Sequence, residues 1–154
     1  MENLNIKMES PLVVEGLLHA MEVQDTSCAI YTDGAVLTHK SRGVKPMVDF
    51  WSCGDLEDAV VCDKVIGKAS AMFLVSGGAA YVHGQVMSQL ALDFLVSNSI
   101  DCGYDQLVEK IKNREGNGLC PMESSVADVN DIDEGIENVI NKMNELGIEN
   151  ENIR

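Results

Sequence analysis

Basic residues are scarce in this sequence. Its 11 Lys and Arg stand against 25 Asp and Glu, which gives a net charge of -14 at pH 7. The segment Pro121–Arg154 contains nine acids and two bases and therefore carries -7 of that charge. Phosphate backbones and anionic lipids repel so acidic a chain. The composition argues against nucleic acid and membrane surfaces as partners.

Long hydrophobic runs are missing as well. No apolar stretch approaches the roughly 18 residues that suggest a membrane span, and the first ten residues, MENLNIKMES, do not show the basic-then-apolar pattern of a secretory signal. We therefore expect a cytoplasmic protein. The 154 residues suffice for one domain with a substantial core. We expect a single domain over 1–154, with a core at about 10–123 and an acidic helix at about 131–147 packed on it.

The chain has no cysteine pair at short spacing. Its five cysteines are odd in number and form no C-x-x-C motif, which argues against a disulfide framework. The three histidines, His19, His39 and His83, stand apart from the cysteines and from one another. No zinc-ligand pattern results, and the sequence requires no metal or cofactor.

Two common nucleotide-binding motifs are also absent. Gly67-Lys68 resembles the end of a P-loop, but Cys62 stands where that motif needs glycine, and Ala69 stands where it needs Ser or Thr. No G-x-G-x-x-G sequence follows a predicted strand, and Gly116-Asn117-Gly118 is too short to replace it. A nucleotide, if one binds, must be held in another way.

The stretch 59–78, AVVCDKVIGKASAMFLVSGG, predicts a strand followed by a helix. Ala59–Cys62 is an apolar run whose β-branched centre suits a strand buried on both faces. Asp63 stands where a helix N-cap is expected, and from Lys64 apolar residues recur at helical spacing until Gly77-Gly78. This arrangement would place Asp63, Lys64 and Lys68 at the carboxyl end of the strand, where open α/β sheets usually bind ligands.

Other segments alternate between strand and helix patterns. Asp33-Gly34 predicts a hairpin between Cys28–Thr32 and Ala35–His39, Ser88 is placed to cap a helix, and Asp131 with Glu134 forms a capping box before another. The remaining predictions are a loose tail at 1–9, a helix from Ser10-Pro11 to about Val23, a short helix at Met47–Trp51, a strand at Ala80–Met87, a helix ending near Asn98, a strand at Leu107–Ile111, a turn-rich loop at Asn113–Gly118 and a polar connector at Ser124–Asn130. This order predicts a three-layer α/β/α fold with a mixed sheet, parallel where a helix joins two strands.

Most of the basic residues fall in three short runs. They are Lys40, Arg42 and Lys45; Lys64 and Lys68; and Lys110, Lys112 and Arg114. Scattered solubilising charge is one explanation, and convergence on one pocket for a small anion is the other. The second predicts these ligand-binding residues: Arg42, Gly43, Lys45, Lys68, Asn113, Arg114 and Gly118.

Asp63 and Lys64 are the candidate catalytic residues. A carboxylate at a helix N-terminus is stabilised by the helix dipole, and it could orient a ribose hydroxyl, act as a base or attack a glycosyl carbon. Lys64 and Lys68 lie one turn apart on the same helical face, so both could contact a phosphate. The alternative is that Asp63 only caps the helix and that the two lysines are solvated. Cys120 is a further candidate nucleophile, although a structural thiol before Pro121 is the favoured explanation.

Three segments together resemble the prokaryotic family called domain of unknown function 1893. They are Arg42–Pro46 (RGVKP), Ala59–Ala69 (AVVCDKVIGKA) and Asn113–Glu123 (NREGNGLCPME). The resemblance extends over about Leu12–Glu123. It implies a cytidine-deaminase-like fold, in agreement with the element order.

The zinc motifs of true deaminases are not present. In those enzymes one helix begins with H-A-E or C-A-E and the next with P-C-x-x-C, which supplies three zinc ligands and a glutamate. The corresponding sequences here are Asp63-Lys64-Val65 and Ser88-Gln89-Leu90-Ala91. The resemblance thus implies the fold without the zinc chemistry, and by analogy a pocket for a nucleoside-like ligand.

Three functions follow from these observations. The first is a metal-free protein that binds a nucleotide or phosphorylated metabolite. Whether it is also an enzyme that uses Asp63 and Lys64 is left open by the sequence. The second is a regulatory or scaffold protein whose working surface is the acidic C-terminal helix or a face between two copies of the chain. The third, a zinc deaminase, is disfavoured by the missing motifs.

Overall fold

The computed structural model describes residues 2–113 and 115–147, with side chains from residue 12 onward. Arg114 and residues 148–154 lie outside this range, and so does the role predicted for Arg114. The elements, in order, are α1 (Glu2–Gln24), β1 (Cys28–Thr32), β2 (Ala35–His39), α2 (Lys45–Ser52), β3 (Val60–Ile66), α3 (Lys68–Gly77), β4 (Tyr81–Ser88), α4 (Gln89–Ser97), β5 (Asp101–Val108), α5 (Pro121–Val126) and α6 (Ile132–Glu145).

The strands form one mixed sheet in the order β2-β1-β3-β4-β5. β1 pairs antiparallel with β2 and β3, whereas β3, β4 and β5 run parallel. Asp33 and Gly34 both have positive φ, 49° and 77°, as a type I′ hairpin turn requires. The predicted hairpin, the mixed sheet and the parallel pairing of β3 with β4 are confirmed.

Helices cover both faces of the sheet. On one face α1 packs Val14, Leu17 and Met21 against the strands. On the other face a larger core contains strand residues such as Ile30 and Val61 together with side chains from α2 to α6. Neighbouring residues of one strand therefore enter different cores, which explains the apolar runs in β1 and β3. None of the helices in the described residues is long and apolar enough to cross a membrane.

The boundary between β3 and α3 differs from the prediction. β3 continues through Asp63 as far as Ile66, which pairs with Met87 of β4, and Gly67 occupies the N-cap position of α3. Asp63 is thus a strand residue, and its predicted role as a helix cap was wrong. Pairing with β4 and full burial of Ile66 outweigh the local preference of aspartate for a cap. The predicted end is confirmed, because Gly78 adopts a left-handed conformation after Gly77.

The first helix and the last strand also differ from the prediction. α1 begins at Glu2, so the segment expected to be a tail is helical and Ser10 does not start the helix. Residues 2–9 are mostly good helix formers, which allows the helix to precede Pro11. β5 spans Asp101–Val108 rather than Leu107–Ile111. As an edge strand it is half exposed, and its polar sequence gives little apolar alternation.

Two helices near the C-terminus complete the larger core. α5 occupies part of the predicted connector, because Pro121 begins a helix that buries Met122, Glu123 and Val126. α6 begins where the capping box predicted, but the side chain of Asp131 makes no capping hydrogen bond. α6 packs on α3 and α5, while Ser88 caps α4 as predicted by accepting the Ala91 N–H at 3.1 Å.

Candidate functional site

A cavity of about 410 Å³ opens between β3 and the loop that joins β2 to α2. We call it the basic-loop cavity. Its lining residues are Asp25, Ser27, Lys40, Arg42, Gly43, Asp63, Lys64 and Val65. The structure thus brings two of the three basic runs together, through Lys40 and Arg42 on the loop and Lys64 on the strand.

Asp63 is the buried acidic group of this cavity. The residue is only 4% exposed, Oδ1 accepts the Val65 N–H at 3.4 Å, and Oδ2 has no hydrogen-bond partner among the described residues. Burial raises the pKa of the Asp63 carboxyl, and hydrogen bonds from the Val65 and Lys64 backbone oppose that shift only in part. A buried oxygen without a partner is costly, so this carboxyl is able to bind a ligand's polar group.

Two cysteines flank Asp63 on the sheet. Cys28 lies opposite Asp63 on β1, and Cys62 precedes it on β3. Burial raises the pKa of both thiols, with a further contribution from the nearby Asp63 carboxyl, and the pKa of Cys62 reaches about 12. Because the thiolate is the reactive form, neither cysteine is suited to nucleophilic attack. They serve as small apolar residues, Cys28 in the larger core and Cys62 in the core against α1.

The basic loop is fixed by side chains at both of its ends. Asp49 Oδ2 lies 2.7 Å from His39 Nε2 and 2.9 Å from Lys45 Nζ. The Ser41 N–H donates to His39 Nδ1 at 3.1 Å, which assigns the remaining ring hydrogen to Nε2, where it points at Asp49. The Ser27 hydroxyl donates to the Ser41 carbonyl. These contacts hold the loop over the cavity. They also pair the ammonium of Lys45, one of the predicted ligand-binding groups, with the Asp49 carboxylate.

Lys68 belongs to a different polar cluster. Its Nζ donates to the Ala127 carbonyl at 3.2 Å and to Asn130 Oδ1 at 3.1 Å, and it lies 5.7 Å from the Phe94 ring centre. Burial lowers the pKa of Lys68, an effect that Glu123 partly offsets. The prediction that Lys64 and Lys68 share one helical face was therefore wrong. Lys68 lines a separate cavity of about 490 Å³.

Glu123 joins the N-termini of two helices. Its Oε2 accepts the Lys68 backbone N–H at 2.6 Å, and its Oε1 accepts the Ser88 hydroxyl at 2.7 Å. A Cβ at Gly67 would overlap Oε2, so glycine is needed there. The groups directed at the Glu123 carboxylate are N–H and O–H donors, so the space that it occupies suits an anion and not a zinc ion. In the part of the chain described, no group of three His, Cys, Asp or Glu residues is arranged to hold a metal ion.

The third basic run lines yet another cavity. Lys110, Lys112 and Gly118 border a space of about 320 Å³ beside the 113–118 turn. The Asn113 N–H donates to the Gly118 carbonyl at 2.8 Å, and Asn113 Oδ1 accepts the Asn117 N–H at 3.2 Å. The predicted ligand residues Asn113 and Gly118 thus close a turn, and they do not line the basic-loop cavity.

Cys120 occupies the N-cap position of α5. Its N–H donates to the Ile111 carbonyl at 3.0 Å, and the residue is partly buried against the larger core. This placement suits a structural residue before Pro121, and the role of Cys120 as a nucleophile stays a prediction.

Sequence reasoning missed part of each cluster. Asp25 and Ser27 were not among the predicted site residues, and Lys40 had been named only as part of a basic run. Glu123 had no predicted role, since its partners Lys68 and Ser88 lie 55 and 35 residues away. A local signal did exist for Lys40, because it lies in the same short loop as the predicted ligand-binding residues Arg42 and Gly43.

A second cavity adjoins the first one. It has a volume of about 610 Å³ and lies along α1, and we call it the α1 cavity. Its lining residues are Glu15, Leu18, His19, Met21, Glu22, Asp25, Lys64 and Gln85. Asp25 and Lys64 line both cavities, so the two spaces meet at these residues.

Comparison with known proteins identifies relatives without an assigned activity. Residues 16–143 match the family model TM1506, described as a domain of unknown function (DUF1893). A crystal structure of a DUF1893 family protein (TM1506) from Thermotoga maritima is similar, with 30% sequence identity, a TM-score of 0.76 and coverage of 81% of this chain and 86% of that chain. No curated protein matches the chain.

Proposed function

Because the chain belongs to the DUF1893 family, for which no biochemical function is shown, we propose from the site geometry that it binds a small phosphorylated metabolite or nucleotide in the basic-loop cavity. The observation that carries this proposal is the buried Asp63 carboxyl, whose Oδ2 has no partner, in a cavity lined by Lys40, Arg42 and Lys64.

The cations supply the anion contacts of the proposed site. Lys40, Arg42 and Lys64 are exposed and have no ion-pair partner within the described residues, so their charges are available to a phosphate. Burial raises the pKa of Asp63 and so shifts this carboxyl toward its uncharged form, which lessens its repulsion of a phosphate. In that form the carboxyl both donates and accepts hydrogen bonds, which suits a sugar hydroxyl next to the phosphate.

We also propose that the fold is a cytidine-deaminase-like one that has lost its metal. The support is the element order and the convergence of the N-termini of α3 and α4, the places where the deaminase motifs would stand. Glu123 fills the space between them through the Lys68 N–H and the Ser88 hydroxyl. Any chemistry of this chain would then depend on the basic-loop cavity, with Asp63 and Lys64 as its acid and its cation.

Calorimetric titration tests the binding proposal. The probes are ribose 5-phosphate, adenosine 5′-monophosphate and cytidine 5′-monophosphate, with inorganic phosphate as the minimal anion. Lys64→Ala is expected to weaken binding about tenfold or more, since a hydrogen bond to a charged group contributes about 1.5–3 kcal/mol. Arg42→Ala should behave similarly.

Lys110→Ala is the matched control, because it removes the same charge from an exposed lysine on a different cavity. Its affinity should equal that of the unmodified protein. The proposal fails if no phosphorylated probe gives saturable binding, or if Lys64→Ala and Arg42→Ala bind as tightly as Lys110→Ala.

A further inference from the structure

The basic-loop cavity and the α1 cavity form one bipolar cleft, and we infer that its ligand carries a phosphate at one end and a hydrogen-bond-donating head, such as the amino-bearing base of a nucleoside monophosphate, at the other. This inference rests on the proposed function and specifies its ligand class. It begins from the two residues, Asp25 and Lys64, that line both cavities.

The two ends of the cleft have opposite charge. Lys40 and Arg42 lie at the basic-loop end, and Glu15 and Glu22 lie at the α1 end. Glu15 and Glu22 are seven residues apart and so occupy the same face of α1, two turns from each other. A phosphate at that end would meet two carboxylates, whereas amino groups would find hydrogen-bond acceptors there. The charge pattern therefore sets the direction in which the ligand lies.

The walls of the α1 end suit a flat ring. Met21 borders the cavity but is only 3% exposed, so the apolar surface of this end comes mainly from the half-buried Leu18. The side-chain amide of Gln85, from β4, contributes one acceptor and two donors, which is the pattern that reads the edge of a base. The acidic residues thus lie beside an apolar wall and an amide.

The size of the cleft leaves room for a ligand that spans both parts. Small-molecule sites usually occupy about 300–1,000 Å³, and the parts here measure about 410 and 610 Å³. A sugar phosphate would fill only the basic-loop end, where Asp63 offers its unpartnered Oδ2. A nucleoside monophosphate would extend past Lys64 into the α1 end.

Matched pairs of nucleotides test the inference. Cytidine and uridine 5′-monophosphate are nearly equal in size but differ in an amino group against a carbonyl, and adenosine and inosine 5′-monophosphate form a second such pair. We expect the amino member of at least one pair to bind about tenfold or more tightly, because a carboxylate accepts a hydrogen bond from an amino group and repels a carbonyl oxygen. Ribose 1,5-bisphosphate, with anions at both ends, should bind more weakly than that nucleotide.

The double variant Glu15→Gln/Glu22→Gln should reduce the preference within the pair to less than about threefold, since neutral amides donate to a carbonyl as readily as they accept from an amine. The affinity for ribose 5-phosphate, which fills only the basic-loop end, should change much less than the affinity for the amino-bearing nucleotide. Glu134→Gln/Glu137→Gln, at two exposed positions on α6, is the charge-matched control. Circular dichroism confirms that each variant is folded.

The outcomes separate the inference from the proposed function. If phosphorylated probes bind in a way that depends on Lys64, but neither pair discriminates or the bisphosphate binds best, the inference is overturned and the proposed function stands. If no phosphorylated probe binds, both fall. A preference for the amino member that persists in Glu15→Gln/Glu22→Gln also overturns the inference, because the carboxylates would then not be its cause.

Discussion

Replacing Glu123 by alanine is expected to destabilise the protein by about 2–6 kcal/mol. The carboxylate accepts the Lys68 N–H at 2.6 Å and the Ser88 hydroxyl at 2.7 Å, and it is only 3% exposed. Both donors would remain buried without an acceptor, and each such loss costs about 1–3 kcal/mol. For a chain of this size that corresponds to a fall in Tm of about 2–4 °C for each kcal/mol.

Equilibrium unfolding in urea measures this loss, with Glu137→Ala as the control. Glu137 is exposed on α6, where surface substitutions change stability by less than about 0.5 kcal/mol. Glu123→Gln should lie between the two variants, because the amide keeps an acceptor for one donor but loses the stronger charged hydrogen bonds. If Glu123→Ala unfolds at the same urea concentration as Glu137→Ala, the bridge between the two helix ends does not stabilise the fold.

A double-mutant cycle locates the effect. Ser88→Ala removes one partner of Glu123 and also the hydroxyl that accepts the Ala91 N–H. Residues in direct contact typically show coupling energies of about 0.5–3 kcal/mol. Additive losses for Ser88→Ala and Glu123→Ala would mean that their hydrogen bond contributes little.

Three further predictions follow from the buried groups. Burial raises the pKa of Asp63 in the folded state, so the unmodified protein loses stability as the pH rises above the unfolded pKa of about 4. Asp63→Asn removes this ionisation and is therefore expected to be more stable than the unmodified protein near neutral pH, but not below about pH 4, where the carboxyl is protonated in both states. A difference in unfolding free energy that does not change with pH in urea unfolding would contradict this prediction. A thiol reagent such as Ellman's should modify exposed Cys53 rapidly and buried Cys62 only on unfolding, and equal rates in peptide mapping would refute the burial argument. Gly67→Ala should cost about 1–3 kcal/mol because its Cβ overlaps the bridging glutamate, whereas Gly16→Ala, in open space on α1, should not destabilise the protein.

Elements with a local cause could be predicted from the sequence. The hairpin follows from Asp33-Gly34, whose positive φ angles close a two-residue turn without help from the rest of the chain. The end of α3 follows from Gly77-Gly78, and the start of α4 from Ser88, whose hydroxyl reaches an N–H three residues away. The alternation of strands and helices indicated the mixed sheet. In each case the deciding contact lies within a few residues.

Elements that depend on distant partners could not be predicted in this way. Asp63 looked like a helix cap, but β3 extends past it because Ile66 pairs with Met87 of β4. The edge strand β5 has too little apolar alternation to reveal its bounds, and it is defined by pairing with β4. The predicted candidates Lys64 and Lys68 were assigned to one helical face. Because β3 continues as far as Ile66, Lys64 is a strand residue and Lys68 a helix residue, and the two line different cavities.

The sequence by itself determined the family resemblance, the mixed α/β architecture and the choice of Asp63, Arg42 and Lys64 as residues to examine, because these depend on motifs and short-range periodicity. Only the tertiary structure decided which of the basic runs share a cavity, that Asp63 is buried with an unpartnered oxygen, and that Glu123 joins two helix ends. The physical reason is separation along the chain: burial and hydrogen bonding between residues tens of positions apart are set by how the layers pack, and no local pattern records them.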